Sequence, residues 1–142
     1  MKQIIFHLAF PISDITQTEQ FYVEGLGCKI GRKTANAIIL DFYGHQIVGH
    51  ITTQKIEVQK GVYPRHFGLV FTNENDFETL LKIAEEKQLK FYQSPKRRFT
   101  DTPVEHRSFF LEDPFSNLLE FKFYCHSEAI FGSTFYAQIG DR

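Results

Sequence analysis

Alternating apolar and polar positions mark the beginning of the chain as a strand. Residues 3–10, Gln-Ile-Ile-Phe-His-Leu-Ala-Phe, end in the period of two that a half-buried strand requires. Pro11 lacks a backbone donor, so we expect the strand to end there. Helical spacing follows, with Asp14 as the predicted N-cap and Gly25 and Gly27 as the predicted end of the helix.

The same order of elements is predicted twice along the chain. Three strands follow the first helix, and the polar residues 53–64 then form a linker. After the linker come a strand, an amphipathic helix with Asn75 and Glu78 as a capping box and an end near Lys87, and three further strands. The predicted strands after the first one cover residues 28–33, 36–42, 46–52, 65–72, 89–93, 107–112 and 118–124.

This repetition predicts an α+β fold of two βαβββ modules in a single domain. The first module covers residues 1–52, the second covers residues 65–124, and a tail of residues 125–142 belongs to neither. Each module covers one face of its sheet with a helix and leaves the other face open. We expect the two halves to form a curved mixed sheet around a cleft.

Composition narrows the classes of function. The net charge of -1 gives no support for a nucleic-acid-binding protein, and the 16 Phe residues supply enough apolar area for a core without disulfides. No apolar run approaches the roughly 18–20 residues of a membrane-spanning helix, so we expect no membrane partner. Only Cys28 and Cys125 are present, which favours a reducing, cytoplasmic setting.

Four side chains that are good metal ligands are predicted to share the open face. Where Phe, Leu and Ile face the helix side, the alternating positions face the other way, and these hold His7, His50, His66 and Glu120. They also occupy matched places, because His7 and His66 open the two halves while His50 and Glu120 close them. A lone strand histidine is more often a surface residue, and it is the coincidence of parity and repeat position that points to a metal or polar small-molecule site.

Two imidazoles and one carboxylate form a recognisable ligand set. Non-haem Fe(II) enzymes use two His and one carboxylate and leave coordination positions open, and the same set can hold Zn or Mn. His50 is then either a fourth ligand or a nearby proton donor or acceptor, since imidazole titrates near neutral pH. The basic run Lys96-Arg97-Arg98, with Arg107 beyond it, is either a solvated loop or a rim that attracts an anionic substrate.

The motifs resemble those of a known family. The doubled plan, the opening Phe-His-Leu-Ala-Phe-Pro, the restart His-Phe-Gly at residues 66–68 and the ending Asp-Pro…Asn-Leu-Leu-Glu-Phe at residues 113–121 resemble the vicinal oxygen chelate superfamily. That superfamily includes glyoxalase I, bleomycin- and fosfomycin-resistance proteins and type I extradiol dioxygenases. The stretch of residues 42–50 is most similar to small predicted extradiol dioxygenases.

The resemblance implies a metal-dependent dioxygenase. It assigns His7, His66 and Glu120 as metal ligands. We expect His50 to act as the catalytic acid or base, and Arg107 and Lys122 to bind substrate. The implied cofactor is one divalent metal ion, Fe(II) before Mn, Zn or Ni, in a cleft that binds a catechol-like molecule through two adjacent oxygens. The alternatives are a glyoxalase-type lyase and a non-catalytic protein that binds an aromatic ligand. The resemblance also implies a homodimer.

Overall fold

Two four-stranded sheets carry the fold. A computed structural model describes residues 1–141, and the strand order is β1-β4-β3-β2 in the first sheet and β5-β8-β7-β6 in the second. In each sheet the outer pair, β1 with β4 and β5 with β8, is parallel, and the other pairs are antiparallel. The predicted α+β fold of two βαβββ halves is therefore confirmed. The strands are β1 (His7–Ile12), β2 (Lys29–Lys33), β3 (Ala37–Phe42), β4 (His45–Ile51), β5 (Phe67–Phe71), β6 (Phe91–Arg98), β7 (His106–Glu112) and β8 (Leu118–Tyr124).

One helical segment follows the first strand of each half. Helix α1 (Ile15–Thr18) begins at Asp14, whose carboxylate accepts a hydrogen bond from the Gln17 N–H at 2.7 Å, and it continues as a π-helical segment, Glu19–Gly25. Helix α2 (Glu74–Glu86) is capped by Asn73, two residues before the predicted capping box, because the Asn73 side chain reaches two backbone N–H groups of the first turn. No helix within residues 1–141 is long and apolar enough to cross a membrane.

The first strand differs from its prediction at both ends. It begins at His7 instead of residue 3, and it continues through Pro11 to Ile12. Strand β1 lies at the edge of its sheet and pairs only with β4. A proline at an edge removes a donor that no neighbouring strand needs, so Pro11 does not end the strand.

A single apolar core joins the two halves. The ring centroids of Phe10 and Phe67 lie 5.5 Å apart, and those of Phe42 and Phe121 lie 6.2 Å apart, so the helix-side faces of the two sheets meet. A buried hydrogen bond of 2.8 Å from the Tyr22 hydroxyl to the Asp113 carboxylate also crosses between the halves. The two open faces therefore point away from the shared core.

The residues after β8 cover the open face of the second sheet. We call residues 127–141 the strap; it begins with the 3₁₀ turn Ser127–Ile130. At its far end the Asp141 N–H donates to the Tyr63 hydroxyl at 2.7 Å. Gly140 has φ +74°, and a Cβ there would lie 2.5 Å from the Tyr63 hydroxyl oxygen, so only glycine allows this approach.

Candidate functional site

A histidine and a carboxylate form a close pair on the open face of the second sheet. His66 precedes β5 and Glu120 lies in β8, and His66 Nε2 is 3.2 Å from Glu120 Oε1. The other ring nitrogen, Nδ1, lies 2.7 Å from the Val62 carbonyl oxygen. A carbonyl oxygen can only accept a hydrogen bond, so Nδ1 must carry a proton. In the neutral ring, Nε2 then has no proton and presents its lone pair. Two acceptors at 3.2 Å need a cation between them, and either a proton or a metal ion satisfies that need.

Charges around the pair reinforce it. The hydrogen bond to Glu120 raises the pKa of His66, and burial opposes this only in part. Burial acts to raise the pKa of Glu120, but the hydrogen bond from His66 and the charge of Lys122 outweigh it and hold that pKa below its ordinary value. Lys122 Nζ stands 3.7 Å from Glu120 Oε1 and 5.2 Å from the centre of the Tyr124 ring. The ionised form of the Glu120 carboxylate is thus favoured by the His66 imidazole and by the Lys122 ammonium group.

A cavity of about 680 Å³ lies between this face and the strap. His66, Glu120 and Lys122 line it, and so do Arg98 and His106 from the neighbouring strands. Aromatic rings form much of the remaining wall, namely those of Tyr63, Phe99, Phe110, Tyr124 and Tyr136. The arrangement suits a small molecule with an apolar or aromatic body and anionic oxygens.

Two of these residues were not predicted as site residues. His106 is buried, its Nδ1 donates to the Val104 carbonyl at 3.0 Å, and burial lowers its pKa. Arg98 is 8% exposed, and its guanidinium is held by the side chains of Gln93 and Ser108. The sequence did carry a signal for Arg98, because it belongs to the basic run whose alternative interpretation was an anion-attracting rim.

His7 and His50 lie on the open face of the first sheet and do not line this cavity. His7 is exposed and its Nδ1 is hydrogen bonded to the Gln46 side chain at 2.7 Å, while His50 is exposed on β4. Within residues 1–141, no three His, Cys, Asp or Glu side chains come together as a metal site. One chain therefore assembles two of the three predicted ligands.

Strand register corrects the predicted match between His50 and Glu120. When the two halves are aligned so that His7 matches His66, Ala9 of β1 matches Gly68 of β5. In the sheets, Gly68 pairs with Glu120 of β8, whereas Ala9 pairs with Val48 of β4. Val48, which is 7% exposed, therefore holds the first-half position of Glu120. By the same alignment His50 matches Lys122. The sequence suggested otherwise because parity gives the face of a residue and not its place along the partner strand.

Arg107 is not a substrate-binding residue of this cavity, contrary to the prediction. Its guanidinium pairs with the Glu78 carboxylate of α2 and lies 4.8 Å from the centre of the Phe77 ring. It alternates along β7 with His106 and with Ser108, which hydrogen bonds to Arg98. Arg107 therefore faces the helix side, whereas the predicted substrate-binding residue Lys122 lines the cavity.

A second cavity of about 590 Å³ lies where β1 meets the linker and the beginning of β5. His66 borders it as well, together with Leu8, Pro11 and Asn117, but neither His7 nor Glu120 is in its wall. Its other titratable residues, Lys55, Glu57 and Arg65, are exposed, whereas the His66–Glu120 pair is largely shielded beneath the strap, so the cavity beneath the strap is the candidate site.

Comparisons with known proteins agree with this architecture. The family model "Glyoxalase/Bleomycin resistance protein/Dioxygenase superfamily" matches residues 4–121. A solved glyoxalase/bleomycin resistance protein/dioxygenase from Alicyclobacillus acidocaldarius is 40% identical with a TM-score of 0.87, over 92% of this chain and 100% of that one. An integron cassette protein from V. cholerae is 27% identical with a TM-score of 0.59, over 87% and 97% of the two chains.

A more distant structure shares only the fold. The fosfomycin resistance protein FosX from Listeria monocytogenes is 14% identical, with a TM-score of 0.68 over 91% of this chain and 99% of its own. No curated protein matches the sequence.

Proposed function

The chain belongs to the glyoxalase/bleomycin resistance protein/dioxygenase superfamily, and we propose that it is a metal-dependent enzyme acting on a small molecule with two adjacent oxygens. The observation that carries the proposal is the His66–Glu120 pair. A neutral imidazole nitrogen and a carboxylate oxygen face each other at 3.2 Å, and the second imidazole nitrogen is fixed by the Val62 carbonyl. Metal-bound histidines have this second hydrogen bond almost always, because it sets the tautomer and the ring orientation.

The third ligand is His7 of a second copy of the chain. His7 is exposed on an open face that points away from the shared core, so no rearrangement within one chain is needed to present it. A homodimer that places the first open face of one copy against the second open face of the other would complete a two-His, one-Glu set. Two such sites arise by symmetry, each with His7 from one copy and His66 and Glu120 from the other.

The chemistry of this ligand set fits a divalent ion, with Fe(II) first and Mn, Zn or Ni as alternatives. When bound, such an ion would stabilise negative charge on two adjacent substrate oxygens, and Fe(II) would in addition allow reaction with O2. The metal would bind the deprotonated Nε2 of His66 and the ionised Oε1 of Glu120, so any proton held between these two atoms would be released on binding.

The remaining residues of the cavity bind and orient the substrate. Lys122 would neutralise an ionised substrate oxygen beside Glu120, and the aromatic walls would hold the body of the substrate away from water. Burial lowers the pKa of His106 and so favours its neutral ring, whose Nε2 can accept a proton. His50 of the second copy stays a proposed acid or base, on the same open face as His7.

We propose extradiol-type dioxygenase activity on a catechol-like substrate as the first reaction to test, and glyoxalase-type lyase activity as the alternative. A third possibility, binding of an aromatic ligand without turnover, is favoured by the aromatic walls of the cavity. All three place the small molecule in the same cavity and differ in whether a metal and O2 are needed.

Metal binding by untagged full-length chain is the first experiment. Stoichiometric binding of Fe(II), Mn or Zn is expected, with an affinity lowered by more than about 100-fold in His66→Ala and in Glu120→Ala, beyond the loss expected for an outer-shell residue. His126→Ala is the matched control, because His126 is exposed and does not line the cavity. Metal binding that is unchanged in His66→Ala would refute the assigned site.

A mixing experiment tests the shared site directly. His7→Ala and His66→Ala should each bind no metal, and a mixture of the two should recover binding, because a mixed dimer holds one complete ligand set. Recovery requires that the ligands come from different copies. Normal metal binding by His7→Ala alone would exclude His7 as a ligand, and a mixed dimer that binds no metal would exclude a site shared between copies.

Activity assays then choose the reaction. Anaerobic loading with Fe(II), followed by a panel of catechols, should give O2 uptake and ring-cleaved products. Absence of uptake across the panel eliminates the dioxygenase, and conversion of a hemithioacetal by Zn-, Ni- or Mn-loaded protein without O2 supports the lyase. Absence of stoichiometric metal under all conditions leaves the binding protein.

A further inference from the structure

Arg98 is built into the cavity as a fixed cation. It is the last residue of β6 and is 8% exposed. Its Nε donates to the Ser108 hydroxyl at 3.0 Å, and its Nη2 donates to the Gln93 side chain at 2.8 Å. Those two neutral contacts orient the guanidinium without compensating its charge. Arginine stays protonated at any pH at which a protein is folded, so a buried site of this kind requires an anion.

The anion in this structure comes from the strap. The Asp141 carboxylate accepts from Arg98 Nη1 and also from Lys96 Nζ, the latter at 3.1 Å. The Asp141 side chain is 38% exposed and Lys96 is more exposed still. Arg98 needs a negative charge beside it, and the Asp141 carboxylate that supplies this charge is open to water, so another carboxylate can take its place.

The large apolar side chains of the strap do not fasten it to the sheet. Phe131, Phe135 and Ile139 are between 82% and 96% exposed. The contacts that fix its far end are polar ones, at Asp141 and at the Tyr63 hydroxyl. A segment held in this way can be displaced without exposing a packed core.

Arg98 lies within reach of a molecule bound at the His66–Glu120 pair. The register places Arg98 level with Tyr124, four residues along β8 from Glu120, so the two backbones lie roughly 16 Å apart. The long Arg98 side chain shortens this distance, because it reaches as far as Ser108. Ser108, which contacts Arg98, pairs across the sheet with Lys122, next to Glu120. A small aromatic acid spans this distance, with hydroxyl oxygens at one end and a carboxylate at the other.

We propose that Arg98 recognises a carboxylate of the substrate, and that the Asp141 carboxylate occupies this subsite as an internal competitor until the substrate displaces the strap. This inference rests on the proposed function, because it assigns a substrate class, a hydroxylated aromatic carboxylic acid, to the same cavity. The substrate carboxylate would accept from Arg98 Nη1, the donor that now contacts the Asp141 carboxylate.

Binding to metal-free full-length chain tests the subsite without any turnover. The probes are 3,4-dihydroxybenzoate and catechol, which differ only in the carboxylate, and the readout is calorimetric affinity. Asp141→Asn should bind 3,4-dihydroxybenzoate about tenfold more tightly than the wild type, because removal of a competing conformation raises the competent fraction. Its affinity for catechol should not change.

Glu128→Gln is the matched control, since it removes one negative charge from the strap at an exposed position outside the cavity wall. Adding Arg98→Gln to Asp141→Asn should abolish the tenfold gain, whereas adding Arg98→Lys should retain a part of it. The proposal is overturned if Asp141→Asn binds 3,4-dihydroxybenzoate no better than Glu128→Gln, or if the gain survives Arg98→Gln.

The outcome separates this inference from the proposed metal site. Asp141→Asn combined with His66→Ala should keep the gain in carboxylate affinity while binding no metal. Metal binding without a carboxylate gain refutes the role of Arg98 alone. A carboxylate gain in a chain that binds no metal in any variant refutes the metal enzyme alone.

Discussion

The open faces of the two sheets have the same strand order, but their histidines differ in exposure and in hydrogen-bond partners. On the first sheet His7 and His50 are exposed, and His7 is satisfied by the neutral Gln46 side chain. On the second sheet the equivalent histidine, His66, is clamped between a carbonyl and a carboxylate, and the strap closes over it. The repeat thus places a histidine at the same position in both halves. Only the second half has a carboxylate, Glu120, where the first half has Val48.

Ala9 and Gly68 occupy the same position in the two halves and should respond oppositely to exchange. A Cβ at Gly68 would lie 1.7 Å from the Glu120 carbonyl oxygen, so β5 and β8 would have to separate. We expect Gly68→Ala to lower the free energy of unfolding by more than about 4 kcal/mol, the range of severe backbone clashes. Ala9→Gly should cost only about 1 kcal/mol. Urea denaturation measures both, and a mild Gly68→Ala would contradict the close approach of β5 to β8.

The turns that close the two halves also differ. Asp41 in the first half accepts one exposed hydrogen bond, from the Gly44 N–H. Asp113 in the second half is buried and accepts from Tyr22, Phe115 and Asn117. Asp113→Asn would turn an amide donor toward one of these donors, and we expect a loss of about 2 kcal/mol. Asp41→Asn should change stability by less than about 0.5 kcal/mol in the same denaturation assay.

The loss in Asp113→Asn should depend on pH with a defined sign. Burial raises the pKa of Asp113, against the lowering effect of its hydrogen bonds. The folded state therefore holds this proton more tightly than the unfolded chain, whose pKa is about 3.9. The stabilising contribution is complete below that value and is lost as pH rises through the raised folded pKa. Wild type should exceed Asp113→Asn by more at pH 3.5 than at pH 6, and a difference that grows with pH would contradict the assignment.

Substitution of Arg107 should affect stability, whereas substitution of Lys122 should affect ligand binding. Arg107→Met should reduce the unfolding free energy by about 1 kcal/mol, because its partly exposed pair with Glu78 is lost, and should leave affinity for 3,4-dihydroxybenzoate unchanged. Lys122→Met should weaken that affinity. Calorimetric titration of both variants, with denaturation curves alongside, checks this division. Weaker binding in Arg107→Met would restore the original prediction for that residue.

The two cysteines also differ between the halves, because Cys28 is buried and Cys125 is partly exposed. Of the differences between the halves, we expect this one to have the smallest effect. Burial raises the pKa of Cys28 in the first half to about 12, whereas Cys125 in the second half is partly exposed beside Arg97. A thiol reagent should label one cysteine in the native protein and two after denaturation. Native Cys125→Ser should not be labelled at all, and labelling of that variant would mean that the first half opens.

Strand parity in the sequence correctly placed His66 and Glu120 on one open face, and the repeat correctly predicted the fold class. Parity could also have excluded Arg107, because it alternates in phase with the buried Phe109 and Leu111. Whether His7 meets His66 depends on how Phe10 packs on Phe67, a contact between residues far apart in sequence that local periodicity does not encode. The same holds for Arg98, whose partner Asp141 lies 43 residues away.

The shared core has a quantitative consequence for the proposed enzyme. The Tyr22–Asp113 hydrogen bond and the Phe10–Phe67 contact join the two halves, so neither half moves independently of the other in the proposed dimer. On the proposed assembly a working centre then exists only in the associated state, so turnover per molecule should fall on dilution below the dissociation constant of the dimer. Abundance in the cell would thereby set both how much enzyme is present and what fraction of it can act.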